Sequence, residues 1–158
     1  MIHEEIAEFA QALPRGRAVL GLDLGTKTIG VAASDALLSS ANPVETIKRR
    51  KFGLDAARLL EIAGGREAGG IILGLPRNMD GSEGPRAQST RAFARNLASL
   101  TELPIAFWDE RLSTVAAERA LIEADMTRKR RSEVIDAVAA AYILQGALDR
   151  LRHMRAET

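Results

Sequence analysis

Three carboxylates in this chain sit where strands and helices can bring them together. Asp23 closes the apolar stretch Arg17-Ala18-Val19-Leu20-Gly21-Leu22-Asp23 and is followed by Gly25. Glu110 comes directly after Asp109, behind the apolar stretch Pro104-Ile105-Ala106-Phe107-Trp108. Asp136 lies in Ser132-Glu133-Val134-Ile135-Asp136-Ala137-Val138-Ala139-Ala140-Ala141, whose small residues suit a helix lying close on a sheet. Carboxylates that converge can hold one or two divalent cations, which activate water and stabilise both oxygens of a phosphodiester displacement. Each residue also has a plainer reading. Asp23 suits an ordinary Asp-Gly turn, Asp109 or Ser113 can cap a helix, and Asp136 can favour a helix dipole from its first turn. The functional reading rests on the three together.

The other chemistries are poorly supplied. The chain has no cysteine and two histidines, His3 and His153, both near its ends. Thiolate zinc sites, cysteine nucleophiles and histidine-based triads are therefore excluded or disfavoured. A metal would be held by oxygen, which favours Mg²⁺ or Mn²⁺.

A second informative stretch is the loop Gly74-Leu75-Pro76-Arg77-Asn78-Met79-Asp80-Gly81-Ser82-Glu83-Gly84-Pro85-Arg86. Backbone N–H groups ahead of a helix N-terminus can grip a phosphate, and Arg77 and Arg86 can add bidentate contacts. It lacks the Gly-Lys-Ser/Thr ending of a P-loop, and it also suits a plain strand-to-helix connection. The expected nucleic-acid or phosphate contacts are Lys27, Arg77, Asn78, Ser82, Arg86 and Arg111. The basic runs Lys48–Lys51 and Arg128–Arg131 suit backbone phosphates or simple solvation, and no aromatics accompany them for base stacking.

The elements that must position these residues follow from periodicity and punctuation. The spacing predicts a helix over 3–13, strands over 17–23, 28–34 and 43–48, and a helix over 52–67. It then predicts a strand over 70–75, a helix over 85–100, a strand over 104–108 and helices over 112–125 and 132–152, with a mobile basic loop at 126–131. A short glycine-containing turn makes the first two strands a hairpin. Apolar strands alternating with helices make the later pair parallel. The expected architecture is α/β, a mixed five-stranded sheet with a three-strand antiparallel meander, two parallel strands and flanking helices.

The 158 residues suit one domain with a core of its own. Residues 1–16 read as a helical extension, 17–152 as the domain and 153–158 as a tail. Net charge is +1, so any attraction for nucleic acid is local. No apolar run reaches the roughly 20 residues of a membrane span. His3, Glu4 and Glu5 stand where a signal peptide has basic residues. The expected location is the cytoplasm, with no membrane partner.

Four segments in order resemble the YqgF family, also called RuvX, a relative of the Holliday-junction resolvase RuvC. They are Gly21 to Ala32, the loop Gly74 to Pro85, Asp109 to Thr114, and Asp136 to Ala140. The resemblance spans about residues 18–150. It implies a ribonuclease-H-like fold and a Mg²⁺- or Mn²⁺-dependent nuclease, with a role in 5′-end maturation of pre-16S ribosomal RNA. Asp23, Glu110 and Asp136 fall where the family's acidic residues lie, as catalytic residues and metal ligands. In RuvC-like enzymes the second acid belongs to the fourth strand, so Glu83, after the fourth strand read here, is the reserve. The expected partner is structured nucleic acid, pre-rRNA or a DNA junction, and the expected state a monomer or weak dimer. Two other readings stay open: a DNA junction resolvase, which needs a stable dimer, and a non-catalytic RNA- or ribosome-binding module. Asp-Leu-Gly-Thr also resembles the first phosphate loop of actin-type phosphotransferases, but those need two such domains.

Overall fold

The segment Ala18–Leu24, seven residues without one exposed side chain, is too apolar to lie anywhere but the middle of a covered sheet. The structure, a computed structural model, describes residues 1–112 and 128–156, with side chains of the last helix described from Ile135 onward. In chain order its elements are β1 (Ile2–His3), α1 (Ile6–Ala12), β2 (Ala18–Leu24), β3 (Thr28–Ser34) and β4 (Ala41–Lys48). Then come α2 (Phe52–Gly65), β5 (Ala68–Leu75), α3 (Pro85–Ala98), β6 (Ile105–Asp109), a 3₁₀ turn (Glu110–Leu112) and α4 (Arg128–Ala156).

The sheet order is β1-β6-β5-β2-β3-β4. β2, β3 and β4 form the expected antiparallel meander, and β5 pairs parallel with β2 and with β6. Among the described residues the sheet has six strands rather than five. The extra one is β1, which pairs parallel with the free edge of β6 through Ile2 and His3. Two residues are too few to carry a periodicity; the exposed edge of β6 recruits them. The helix expected over 3–13 is thus shorter, and it ends where Leu13 N–H donates to the Phe9 carbonyl, ahead of Pro14.

Alternation along β2 splits the core into two layers. Leu20, Leu22 and Leu24 face α2 and α3, where they meet Leu59, Phe93 and Leu97. Val19 faces the other way, into a cluster built with Phe9 and Leu13 near α1 and with Leu144, Leu148 and Leu151 of α4. Asp23 has the same parity as Val19, so it faces α4.

α4 begins at Arg128 and runs to Ala156. Residues 128–131, read as a mobile basic loop, are instead its first turn; Lys and Arg are good helix formers, so a run of them does not break a helix. Most of the helix expected over 112–125 lies outside the described residues. Among the described residues no helix is long and apolar enough to cross a membrane.

Candidate active site

Asp23 is the second-last residue of β2 and only 7% exposed. Its cross-strand partner on β3 is Gly30. Laterally paired residues point to one face, and the missing side chain of Gly30 is what lets α4 in. A Cβ on Gly30 would lie 1.8 Å from the carbonyl oxygen of Asp136. The helix therefore crosses β3 in backbone contact, one strand from Asp23. The Asp136 side chain is fixed there too, accepting a hydrogen bond from Thr28 Oγ1 at 2.6 Å.

The other flank of Asp23 is β5. Leu22 pairs in parallel with Leu73, which brings Gly74 alongside Asp23. A Cβ on Gly74 would lie 2.8 Å from Glu110 Oε1 and 3.2 Å from its Cγ. The Glu110 side chain thus folds over β5 through space that only a glycine leaves. It is delivered by the 3₁₀ turn at the end of β6, held in shape by Asp109, whose carboxylate accepts from the Arg111 backbone N–H at 2.9 Å and from Arg111 Nη2 at 2.7 Å. Arg111 holds the Asp109 carboxyl below its usual range.

Residues 23, 110 and 136 are therefore gathered at one end of the sheet and on one face, at the carboxyl ends of the parallel strands. Glu110 and Asp136 are half-buried. Among the described residues no three acidic or histidine side chains are close enough to ligate a single ion, so the arrangement is open around the end of β2 rather than a closed cage.

Glu83 lies elsewhere. Both its oxygens accept from Arg91, one of them from Nη2 at 2.8 Å, and Arg77 stands 3.7 Å away. Arg91 also donates to Glu4 at 2.6 Å and lies 4.9 Å over the Phe107 ring. Phe107 belongs to the α2/α3 layer, opposite Asp23. Arg91 holds the Glu83 carboxyl below its usual range, chiefly by hydrogen bonding.

The expected phosphate-binding residues divide into three groups. Asn78 and Ser82 shape their own loop: Asn78 N–H donates to the Ser82 carbonyl at 2.9 Å, Asn78 Nδ2 reaches Ser82 Oγ at 3.0 Å, and Gly81 turns the chain at φ +89°. Arg111 is bound to Asp109 and also reaches the Met79 carbonyl at 3.4 Å. Arg77 and Arg86 line a cleft of about 200 Å³ beside Asn78 and Gly84, where Arg77 Nε is buried with no hydrogen-bond partner among the described residues. Arg86 also lines a neighbouring cleft of about 160 Å³ beside Gly25 and Thr26. Arg49, which the sequence marks only as part of the basic run Lys48–Lys51, completes this second cleft and donates to the Gly25 carbonyl at 2.7 Å. Lys27 is exposed in the β2–β3 turn.

A family model described as RuvX, Holliday junction resolvase, matches residues 17–150. The chain belongs to the RuvX family. RuvX relatives include a protein of Ruegeria sp. (strain TM1040), provisionally named pre-16S rRNA nuclease. It is 70% identical over 155 residues, covering 98% of this chain and 99% of that protein. A protein of Ruegeria pomeroyi with the same provisional name is 73% identical over 154 residues, covering 98% of this chain and all of the relative. Such coverage takes in α1, ahead of the span matched by the RuvX model. Among solved structures, T. thermophilus RuvC in complex with a Holliday junction substrate matches with a TM-score of 0.54 at 16% identity, over 86% of this chain and 96% of that one. That likeness is one of fold, and it makes the architecture the ribonuclease-H-like one that the RuvX resemblance implied.

Proposed function

We propose that Asp23, Glu110 and Asp136 form the catalytic centre of a divalent-metal-dependent nuclease that acts on structured RNA, with the 5′ end of pre-16S ribosomal RNA as substrate. RuvX membership makes the chain a nuclease, a hydrolase of ester bonds acting on nucleic acid. What carries the assignment of residues is the pair of glycines beside Asp23. Gly30 admits Asp136 on one side and Gly74 admits Glu110 on the other.

The donor set fits a hard divalent cation: three carboxylates, no thiolate, and no histidine near the centre. Asp23, Glu110 and Asp136, too far apart here to ligate one ion as a trio, would share one or two Mg²⁺ or Mn²⁺ ions between them, which when bound supply an activated water and charge stabilisation at the phosphodiester. The chain's own residues do the rest. Thr28 holds the Asp136 carboxylate, and the Asp109–Arg111 pair fixes the turn that presents Glu110. Arg77 and Arg86, at the mouth of α3, supply guanidinium contacts to substrate phosphates. The engagement of Glu83 by Arg91 on the other face favours Glu110 as the second acid. A nuclease acting on precursor rRNA works in the cytoplasm, where we place it, as a monomer or weak dimer.

The family's own description favours a second reading, cleavage of four-way DNA junctions. The two separate in one experiment: cleavage of a pre-16S RNA fragment and of a four-way DNA junction, each with Mg²⁺ or Mn²⁺ or with chelator, by the wild type and by Asp23→Asn. The expected result is metal-dependent cleavage of the RNA that the substitution abolishes. Cleavage of the junction alone, by a stable dimer, would favour the second reading. Undiminished cleavage by the variant would overturn the mechanism.

A further inference from the structure

The acids occupy one end of α4, and its other end builds something different. α4 crosses the sheet backwards along β2: Asp136 lies on Gly30 at the end of the catalytic edge, and Leu144 lies on Gly21, at the middle of β2. Its last turns then pass α1, which packs on the same face of the sheet through Phe9 and Leu13. Between α1 and the end of α4 is a groove of about 720 Å³. Apolar Ala10, Leu13 and Met154 and polar Gln11 line it together with three arginines, Arg15, Arg150 and Arg155. No Asp or Glu is among the described residues lining it. The nearby Asp149 accepts from Arg152 at 2.9 Å, outside the groove. In a chain whose net charge is only +1, the groove gathers three guanidinium groups, of which Arg150 is exposed.

We infer that this groove is a second nucleic-acid contact, which holds the sugar-phosphate backbone of the substrate's structured flank away from the cleavage point. The inference rests on the nuclease reading above and adds a site to it. Arginine forks match phosphate oxygens. Among the described residues the lining contains no aromatic side chain, so the contact is with backbone rather than stacked bases and is independent of sequence. Along the helix axis, Arg150 and Arg155 lie about 21 and 28 Å from Asp136 at the usual rise per residue. A substrate has to extend that far to reach them. A short strand confined to the catalytic edge does not.

The test uses the full chain with Arg15, Arg150 and Arg155 all changed to Ala, beside a second variant with all three changed to Lys. Binding is followed by fluorescence anisotropy across a salt series. One probe is a stem-loop RNA whose duplex extends at least about 30 Å from its single-stranded end; the other is a short single-stranded RNA. We expect the alanine variant to bind the long RNA at least about tenfold more weakly, with the log K against log salt slope shallower by about 2–3. Its binding of the short RNA, and kcat on that RNA, stay unchanged. The lysine variant keeps most of the slope. Should the alanine variant fail to fold, Arg150→Glu alone is read in the same assay, with the same selective loss on the long RNA expected. Unchanged binding of the long RNA would overturn the inference, as would equal losses on both probes or a lysine variant as weak as the alanine one. The binding arm needs no catalysis, so a wild type that binds as expected but cleaves neither RNA counts against the nuclease reading and leaves the groove standing.

Discussion

Gly30 and Asp136 meet backbone to backbone: the position a Cβ would take on Gly30 is 1.8 Å from the Asp136 carbonyl oxygen. No rotamer change relieves such a contact, because the obstructing atom is main chain. The seat of α4 on the sheet, and so the place of the Asp136 carboxylate, depends on a single hydrogen atom at residue 30.

Gly30→Ala should therefore push α4 outward and cost about 3 kcal/mol, the upper range for forced overpacking. For a domain of this size the melting temperature should fall by roughly 6–12 °C. Denaturant unfolding measures the first quantity and calorimetry the second. Activity of the fraction still folded should fall as well. Wild-type stability in this variant would mean the helix is not seated as described.

Thr28 serves as a positioning residue through its 2.6 Å hydrogen bond to Asp136. Thr28→Val keeps the shape and removes the donor. Its stability should fall by no more than about 3 kcal/mol, the upper range for a hydrogen bond to a charged group. kcat should drop about tenfold or more, since small misplacements at a reacting centre are costly, while KM stays near wild type. Thr28→Ser should restore kcat. If serine fails to rescue, the methyl group rather than the hydroxyl is what matters.

The Glu83–Arg91 pair gives the protein an acid-sensitive brace. Arg91 lowers the Glu83 pKa, so the folded state releases that proton more readily than the unfolded chain. The resulting stability is fully present above the ordinary carboxylate range and is lost as the pH falls through the lowered folded value. Glu83→Gln should thus melt below wild type at pH 7, and the gap should close towards pH 3. Thermal melts of both proteins across that range decide it; a gap of constant size would show that ionisation of Glu83 contributes nothing.

Cations that bind only the folded state raise its stability by mass action, by about 2.7 kcal/mol at a hundredfold excess over Kd. Saturating Mn²⁺ or Mg²⁺ should accordingly raise the melting temperature of the wild type, and chelator should reverse the rise. Asp23→Asn should show little or none of it. An equal rise in that variant would take Asp23 out of the metal site, whatever the cleavage assay gives.

Much of the architecture could be read from the chain because its signals are local. The continuous apolar run at Ala18–Leu24 marks a covered central strand, and Pro85 marks the start of α3. β1 was hidden because a two-residue edge strand is set by the neighbour it pairs with, not by its own pattern. Asp23 could be singled out by its place before Gly25. Its environment could not, because it depends on Gly30 and Gly74, which come to its two sides only through strand order. The same holds for Thr28, an ordinary strand-opening residue until α4 arrives. Glu83 had the sequence position of a strand-end acid, yet Arg91, eight residues on, carries the charge that claims it.

α4 follows all six described strands in chain order, and it brings Asp136 to a sheet that pairs without it. Synthesis is vectorial, with earlier segments free to fold first. A growing chain can therefore assemble these strands before it has the third of its proposed catalytic acids. A ribosome making this protein is surrounded by RNA of the kind we propose as its substrate. With the third acid on a helix that follows the sheet, a chain stopped before α4 would carry the strands without the full proposed catalytic set.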